Sequence, residues 1–173
     1  MKSIFLIGYM GCGKSTVGKS LAASKNLTFI DLDQYIENQA NNSIEKLFKE
    51  EGELAFRKRE RNALMNILER NEAAVIALGG GTPCYFDNME KISSSQHHSF
   101  YLNASIPVLV ERLKVEKAQR PLIAHLESEE DLTEFIGKHL FERSSYYRKA
   151  KHTLDINHKT PQEVVNELLL KLG

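Results

Sequence analysis

An apolar run, SIFLI at 3–7, leads directly into Gly8-Tyr9-Met10-Gly11-Cys12-Gly13-Lys14-Ser15, and that loop leads into STVGKSLAAS, which has helical period. This is the G-x-x-x-x-G-K-[ST] pattern in the context its mechanism needs, between a strand and a helix. Glycines let the loop curl until its N–H groups point inward as a nest, and the helix N-terminus behind it adds positive potential. Such a loop cradles phosphates, with Lys14 reaching the outer ones and the Ser15 hydroxyl placed on Mg2+. Thr16 either touches an inner phosphate or is an ordinary first-turn residue. Cys12 lies near a helix start, where a thiol can be acidified, but a plain small loop residue is the simpler reading.

The rest of the chain repeats the strand-then-helix rhythm. Apolar runs of strand length stand at 3–7, 27–30, 74–78, 100–102 and 153–156, and segments of helical period at 14–25, 33–50, 53–70, 105–116, 129–150 and 161–172. Strands buried on both faces and separated by helices imply a parallel sheet covered on both sides. Ser43 reads as an N-cap, Thr160-Pro161-Gln162-Glu163 as a capping box with Pro at the first helical position, and Ser105-Ile106-Pro107 as a similar start. The stretch SSSQHHS at 93–99 reads as a loop, and KAQRPLIAHLES at 117–128 as a flap whose Arg-Pro is extended.

A chain of 173 residues, 42% of them hydrophobic, suits one compact domain. Its 23 Lys and Arg balance its 23 Asp and Glu, so no overall field gathers nucleic acid or anionic membrane, and any anion site is local. The first residues do not read as a signal peptide, and no apolar stretch approaches the roughly 20 residues of a membrane helix. Cys12 and Cys84 read as reduced thiols of a cytoplasmic protein, and the six His form no metal-ligand pattern. Balanced charge without an exposed apolar stripe makes a monomer the default.

A phosphate loop does not name a reaction. The N-K-x-D and D-x-x-G strings of GTPases do not occur. Motor ATPases usually end an apolar strand on a metal-binding acid, whereas the run at 74–78 ends on Gly79, Gly80 and Gly81. The carboxylates come instead from Asp31-Leu32-Asp33 after the second strand, where alternation would send both toward the crevice at the carboxyl edge of the sheet. The plainer alternative is that Asp33 N-caps the helix DQYIENQA. Arg57 follows Phe56 at the edge of an inner stripe in a highly charged helix, and Arg120 sits in the flap, where it could close onto a transferring phosphoryl group.

Taken in order, GYMGCGKST at 8–16, DLD at 31–33, FRKRE at 56–60, GGGTP at 79–83, RPL at 120–122 and ERSSYY at 142–147 resemble the shikimate kinase family over nearly the whole chain. The resemblance implies a P-loop fold of the nucleoside-monophosphate-kinase type: a five-stranded parallel sheet, order 2-3-1-4-5, helices on both faces, an acceptor-binding region at about 32–60 and a lid at about 115–128. It implies transfer of the ATP γ-phosphoryl group to the 3-hydroxyl of shikimate. Gly11, Cys12, Gly13, Lys14, Ser15, Thr16 and Arg120 would contact ATP, with adenine held by Arg112 and the region of Pro161. Ser15 and Asp31 would hold one Mg2+. Asp33 would meet the shikimate hydroxyls and take the proton of the attacking one. Arg57 and Arg143 would bind its carboxylate, and Gly79, Gly80 and Gly81 would let the ring lie on bare backbone. Two other readings are a related kinase for gluconate or a nucleoside monophosphate, and a nucleotide-binding regulator without catalysis.

Overall fold

A computed structural model describes residues 2–173. Five parallel strands, β1 (Ile4–Ile7), β2 (Thr28–Asp31), β3 (Ala74–Ala77), β4 (His98–Asn103) and β5 (His152–Asp155), lie in the order β2-β3-β1-β4-β5. All eight residues of β1 and β3 are buried, as their continuous apolar runs require when helices cover both faces. Register pairs Ile4 with Val75 on one side and with His98 on the other. The first crossover helix, α1 (Lys14–Lys25), begins immediately after the glycine loop.

The segment 33–50 is two helices, α2 (Leu32–Ala40) and α3 (Ile44–Glu51). Asn41 stops the first in a left-handed conformation (φ 49°), and the Ser43 side chain accepts from the Lys46 N–H to start the second. The chain continues through α4 (Glu53–Leu68), α5 (Asn88–Ser94), α6 (Ile106–Glu116), α7 (Pro121–Ala124), α8 (Glu129–Tyr147) and α9 (Pro161–Leu172). The stretch at 93–99 is not a loop throughout: it closes α5 and opens β4, whose first residues, His98 and Ser99, are polar. Ser99 is fully buried because its Oγ accepts from the Lys151 N–H at 2.9 Å, a bond that periodicity cannot reveal.

Both ends of α9 fit expectation, and Thr160 and Glu163 complete the capping box. Ser105 differs: its side chain caps nothing, and its N–H donates to Asn157 Oδ1 at 2.9 Å. The flap contains a short 3-10 turn, Lys117–Gln119, then an extended Arg120 (φ −120°, ψ 101°), then α7, anchored by the fully buried Ile123. No helix among the described residues is long and apolar enough to cross a membrane.

Gly18 shows how tightly α1 seats on the sheet. A Cβ there would stand 2.4 Å from Phe29 Cε2 and 3.2 Å from Leu6 Cδ1. Alanine normally favours a helix interior by about 1 kcal/mol over glycine, but overpacking costs about 1–3 kcal/mol. Gly18→Ala is therefore expected to lower the urea midpoint without changing the slope; a raised midpoint would contradict this packing.

Candidate active site

The phosphate loop has the geometry its glycines predict. Gly11 and Gly13 adopt positive φ (79° and 95°), and Gly13 precedes α1 with no side chain capping the first turn. The orphan N–H groups of that turn border a cavity of about 290 Å3, lined by Gly11, Gly13, Lys14, Ser15 and Thr16 on one side and by Asp31, Asp33, Gly79, Gly80, Glu116 and Arg120 on the other. Lys14 Nζ donates to the carbonyls of Gly8 (2.8 Å) and Tyr9 (3.0 Å). Cys12 is a small packed loop residue: its side chain is buried in the core and its N–H donates to the Tyr9 carbonyl at 3.3 Å, closing the turn.

The two flap-side arginines differ. Arg120 lines the cavity and donates from Nε to Glu116 Oε2 at 2.8 Å. Arg112 braces the loop, donating to the carbonyls of Gly11 (3.4 Å) and Cys12 (3.3 Å), but does not line the cavity. Pro161 is the first residue of α9 and, like Arg112, does not line this cavity.

Asp31 and Asp33 divide the work in a way spacing did not indicate. β2 ends at Asp31 and α2 begins at Leu32, so helix geometry directs Asp33 where strand alternation was expected to. Asp31 is the cap: Oδ1 accepts from the N–H groups of Asp33 (3.1 Å) and Gln34 (3.3 Å), and Oδ2 accepts from the Ser15 hydroxyl at 2.9 Å. Asp33 is thereby free to face the glycine triplet.

At that triplet the absent side chains make room for the protein's own polar groups. None of Gly79, Gly80 and Gly81 has a left-handed φ. A Cβ on Gly79 would lie 2.8 Å from Asp33 Oδ1 and 3.1 Å from Glu60 Oε1; on Gly80, 3.4 Å from Arg143 Nη1; on Gly81, 2.5 Å from Arg57 Nη1. Arg57, 7% exposed, donates from Nη1 to Glu60 Oε2 at 2.6 Å, while the other Glu60 oxygen accepts from Thr82 Oγ1 at 2.7 Å. Arg143 reaches in from α8, its guanidinium 5.9 Å from the Tyr9 ring, and Tyr147 from the same helix donates to the Gly80 carbonyl at 2.6 Å. Glu60, Thr82 and Tyr147 lie inside the stretches FRKRE, GGGTP and ERSSYY, but only Glu60, three residues after Arg57 on one helix face, had a local signal for its contact.

Comparison with known proteins places this arrangement. The shikimate kinase family model matches residues 10–173. A shikimate kinase of Flavobacterium johnsoniae is 46% identical over 169 residues, 98% of each chain. The chain belongs to the shikimate kinase family. It is therefore an ATP-using phosphotransferase. Among solved structures, a shikimate kinase from Bacteroides thetaiotaomicron superposes with a TM-score of 0.90 at 37% identity, covering 99% of this chain and 98% of that one. One from Acinetobacter baumannii in complex with shikimate gives 0.86 at 30% identity, covering 99% and 93%.

Within that family frame, the electrostatics single out Asp33. Burial raises its carboxyl from the ordinary 3.8 to about 6, the charges of Glu60 and Asp31 push the same way, and Lys14 opposes them. At neutral pH it is ionised at a cost. Because the folded chain holds this proton more tightly than the unfolded one, stability falls as pH rises from about 4 to about 6, and the penalty is complete above that. Asp33→Asn is expected to raise Tm at pH 7.5 by roughly 2–6 °C and to change little at pH 4. Thermal unfolding followed by circular dichroism checks it; a lowered Tm at pH 7.5 would contradict the strained-charge account.

Proposed function

We propose that this chain transfers the γ-phosphoryl group of ATP to the 3-hydroxyl of shikimate, giving shikimate 3-phosphate and ADP on the route to chorismate and the aromatic amino acids. The observation that carries the reading is the convergence of Asp33, Glu60, Arg57 and Arg143 on three consecutive glycines at one rim of the phosphate-loop cavity. Shikimate is a small polyhydroxylated carboxylate. Such a molecule calls for arginine, whose planar fork matches a carboxylate bidentately, next to a basic oxygen for its hydroxyls.

Asp33 accepts the proton of the attacking hydroxyl as its oxygen bonds to the γ-phosphorus and the bond to the bridging β,γ oxygen breaks. A carboxyl titrating near 6 is ionised at neutral pH yet basic enough for that transfer. Lys14 exchanges the Gly8 and Tyr9 carbonyls for phosphate oxygens, and Arg120 exchanges Glu116 for the transferring group. Both neutralise charge that spreads over the phosphoryl oxygens. The N–H groups of Gly13 to Thr16 hold the phosphates, while Arg112 and the region of Pro161 hold adenine.

Ser15 and Asp31, with oxygens 2.9 Å apart, suit one Mg2+, which takes few protein ligands and completes its shell with phosphate and water. When bound, the ion supplies charge neutralisation at the phosphates. The protein acts as a cytoplasmic monomer and one kinase domain over 1–173, with an acceptor region at about 32–60 and a lid at about 115–128 that excludes water.

The decisive assay is ADP release from MgATP with shikimate, gluconate, AMP, CMP or no acceptor. Turnover is expected with shikimate only; activity with another acceptor and silence with shikimate would overturn the reading. Arg57→Lys is expected to raise the shikimate KM about tenfold with the ATP KM unchanged. In the same assay Asp33→Asn should lower kcat by more than about tenfold.

A further inference from the structure

Arg57 has a partner outside every motif considered so far. The ring of Tyr85 lies 4.2 Å from the Arg57 guanidinium carbon, nearer than Phe56 (5.5 Å) or Phe48 (5.6 Å). Its hydroxyl donates to Glu53 Oε1 at 2.6 Å, and the same oxygen sits at the outer edge of Arg57, 3.5 Å from Nη2. The turn that seats Tyr85 is firmly held. Phe86 adopts a left-handed φ of 52°, rare for a bulky residue, with the Arg61 guanidinium 5.6 Å from its ring. Two residues on, the fully buried Asn88 donates to the Thr82 carbonyl at 2.9 Å.

The guanidinium has two usable edges, and only one is filled. Nη1 is committed to Glu60 at 2.6 Å. Nε–H is buried with no partner, and Nη2 has only the long contact to Glu53. Nε–H and Nη2–H form the side-on fork that matches a carboxylate, and a buried donor left unpaired is costly until an acceptor arrives. A ring stacked on a guanidinium face fixes the plane of that fork.

We propose that Tyr85 is a positioning residue for the acceptor carboxylate. Its ring holds the plane of Arg57, and its hydroxyl draws Glu53 toward itself so that the Nε and Nη2 edge keeps no strong partner within the protein. The substrate carboxylate then takes that edge, displacing only the weak Glu53 contact. The inference rests on Arg57 being the carboxylate contact, so the test carries a separate check on Arg57.

Tyr85→Leu, Tyr85→Phe and Arg57→Lys are compared with the unaltered protein by varying shikimate and ATP separately and measuring Tm. Tyr85→Leu, which loses ring and hydroxyl, is expected to raise the shikimate KM about tenfold, with kcat within about twofold and the ATP KM unchanged. Tyr85→Phe keeps the ring and is expected to raise it about threefold. An unchanged shikimate KM in both variants overturns the proposal, and so does a parallel rise in both KM values, which would mark general loosening. If Tyr85→Leu fails to fold, Tyr85→Phe decides by the same criteria. A raised shikimate KM in Arg57→Lys with none in the Tyr85 variants removes the role of Tyr85 and leaves the clamp; no change in Arg57→Lys removes both.

Discussion

The acceptor half of the site hangs on the buried ion pair between Arg57 and Glu60, with Nη1 and Oε2 2.6 Å apart. Removing one member of such a pair strands a charge in a poor solvent and costs several kcal/mol, so the two must be placed together. Glu60 then does two further things. Its second oxygen receives the Thr82 hydroxyl, tying α4 to the loop after β3, and its charge helps raise Asp33. Position of the proposed carboxylate clamp and proton affinity of the proposed base thus have a common origin.

The cations that face the cavity are already satisfied by the protein. Lys14 holds two loop carbonyls, and Arg120 holds Glu116. An incoming anion therefore exchanges one set of bonds for a stronger, doubly charged one instead of rescuing orphaned groups. Arg57, behind the glycine triplet and not among the residues that line this cavity, differs: it has a buried Nε–H that nothing in the protein accepts. In the proposed reaction this contrast serves specificity: polyphosphate recognition would be spread over many exchangeable bonds, and carboxylate recognition concentrated on the one unpaired edge of Arg57. A site with an unpaired buried donor rejects a ligand lacking the acceptor far more strongly than a site of exchangeable bonds can.

Legibility varied with the range of the forces involved. The loop from Gly8 to Ser15 was readable because strand, glycines and helix start are contiguous and each acts on its neighbours. The capping box at Thr160 and the left-handed stop at Asn41 are also local, although the second was overlooked within a continuous polar-apolar pattern. β4 was foreshortened because Ser99 looks like a loop residue until Lys151, 52 positions away, donates to it. The glycine triplet was readable as a place where something comes close to backbone. What comes close was not, since Asp33, Glu60, Arg57 and Arg143 arrive from three separate helices.

By itself, the sequence determined the phosphate loop, the alternation of buried strands and covering helices, and hence a parallel sheet with its ligands at the carboxyl edge. These follow from periodicity and backbone chemistry within a few residues. Tertiary structure alone decided that Asp31 caps α2 and holds Ser15 while Asp33 carries the raised carboxyl, that Glu60 belongs to the site, and that Tyr85 covers Arg57. Two aspartates one residue apart are equivalent in a string. They differ only once packing sets the distance of each to a distant charge and to water, and it is those distances that fix which proton is held and which oxygen is free.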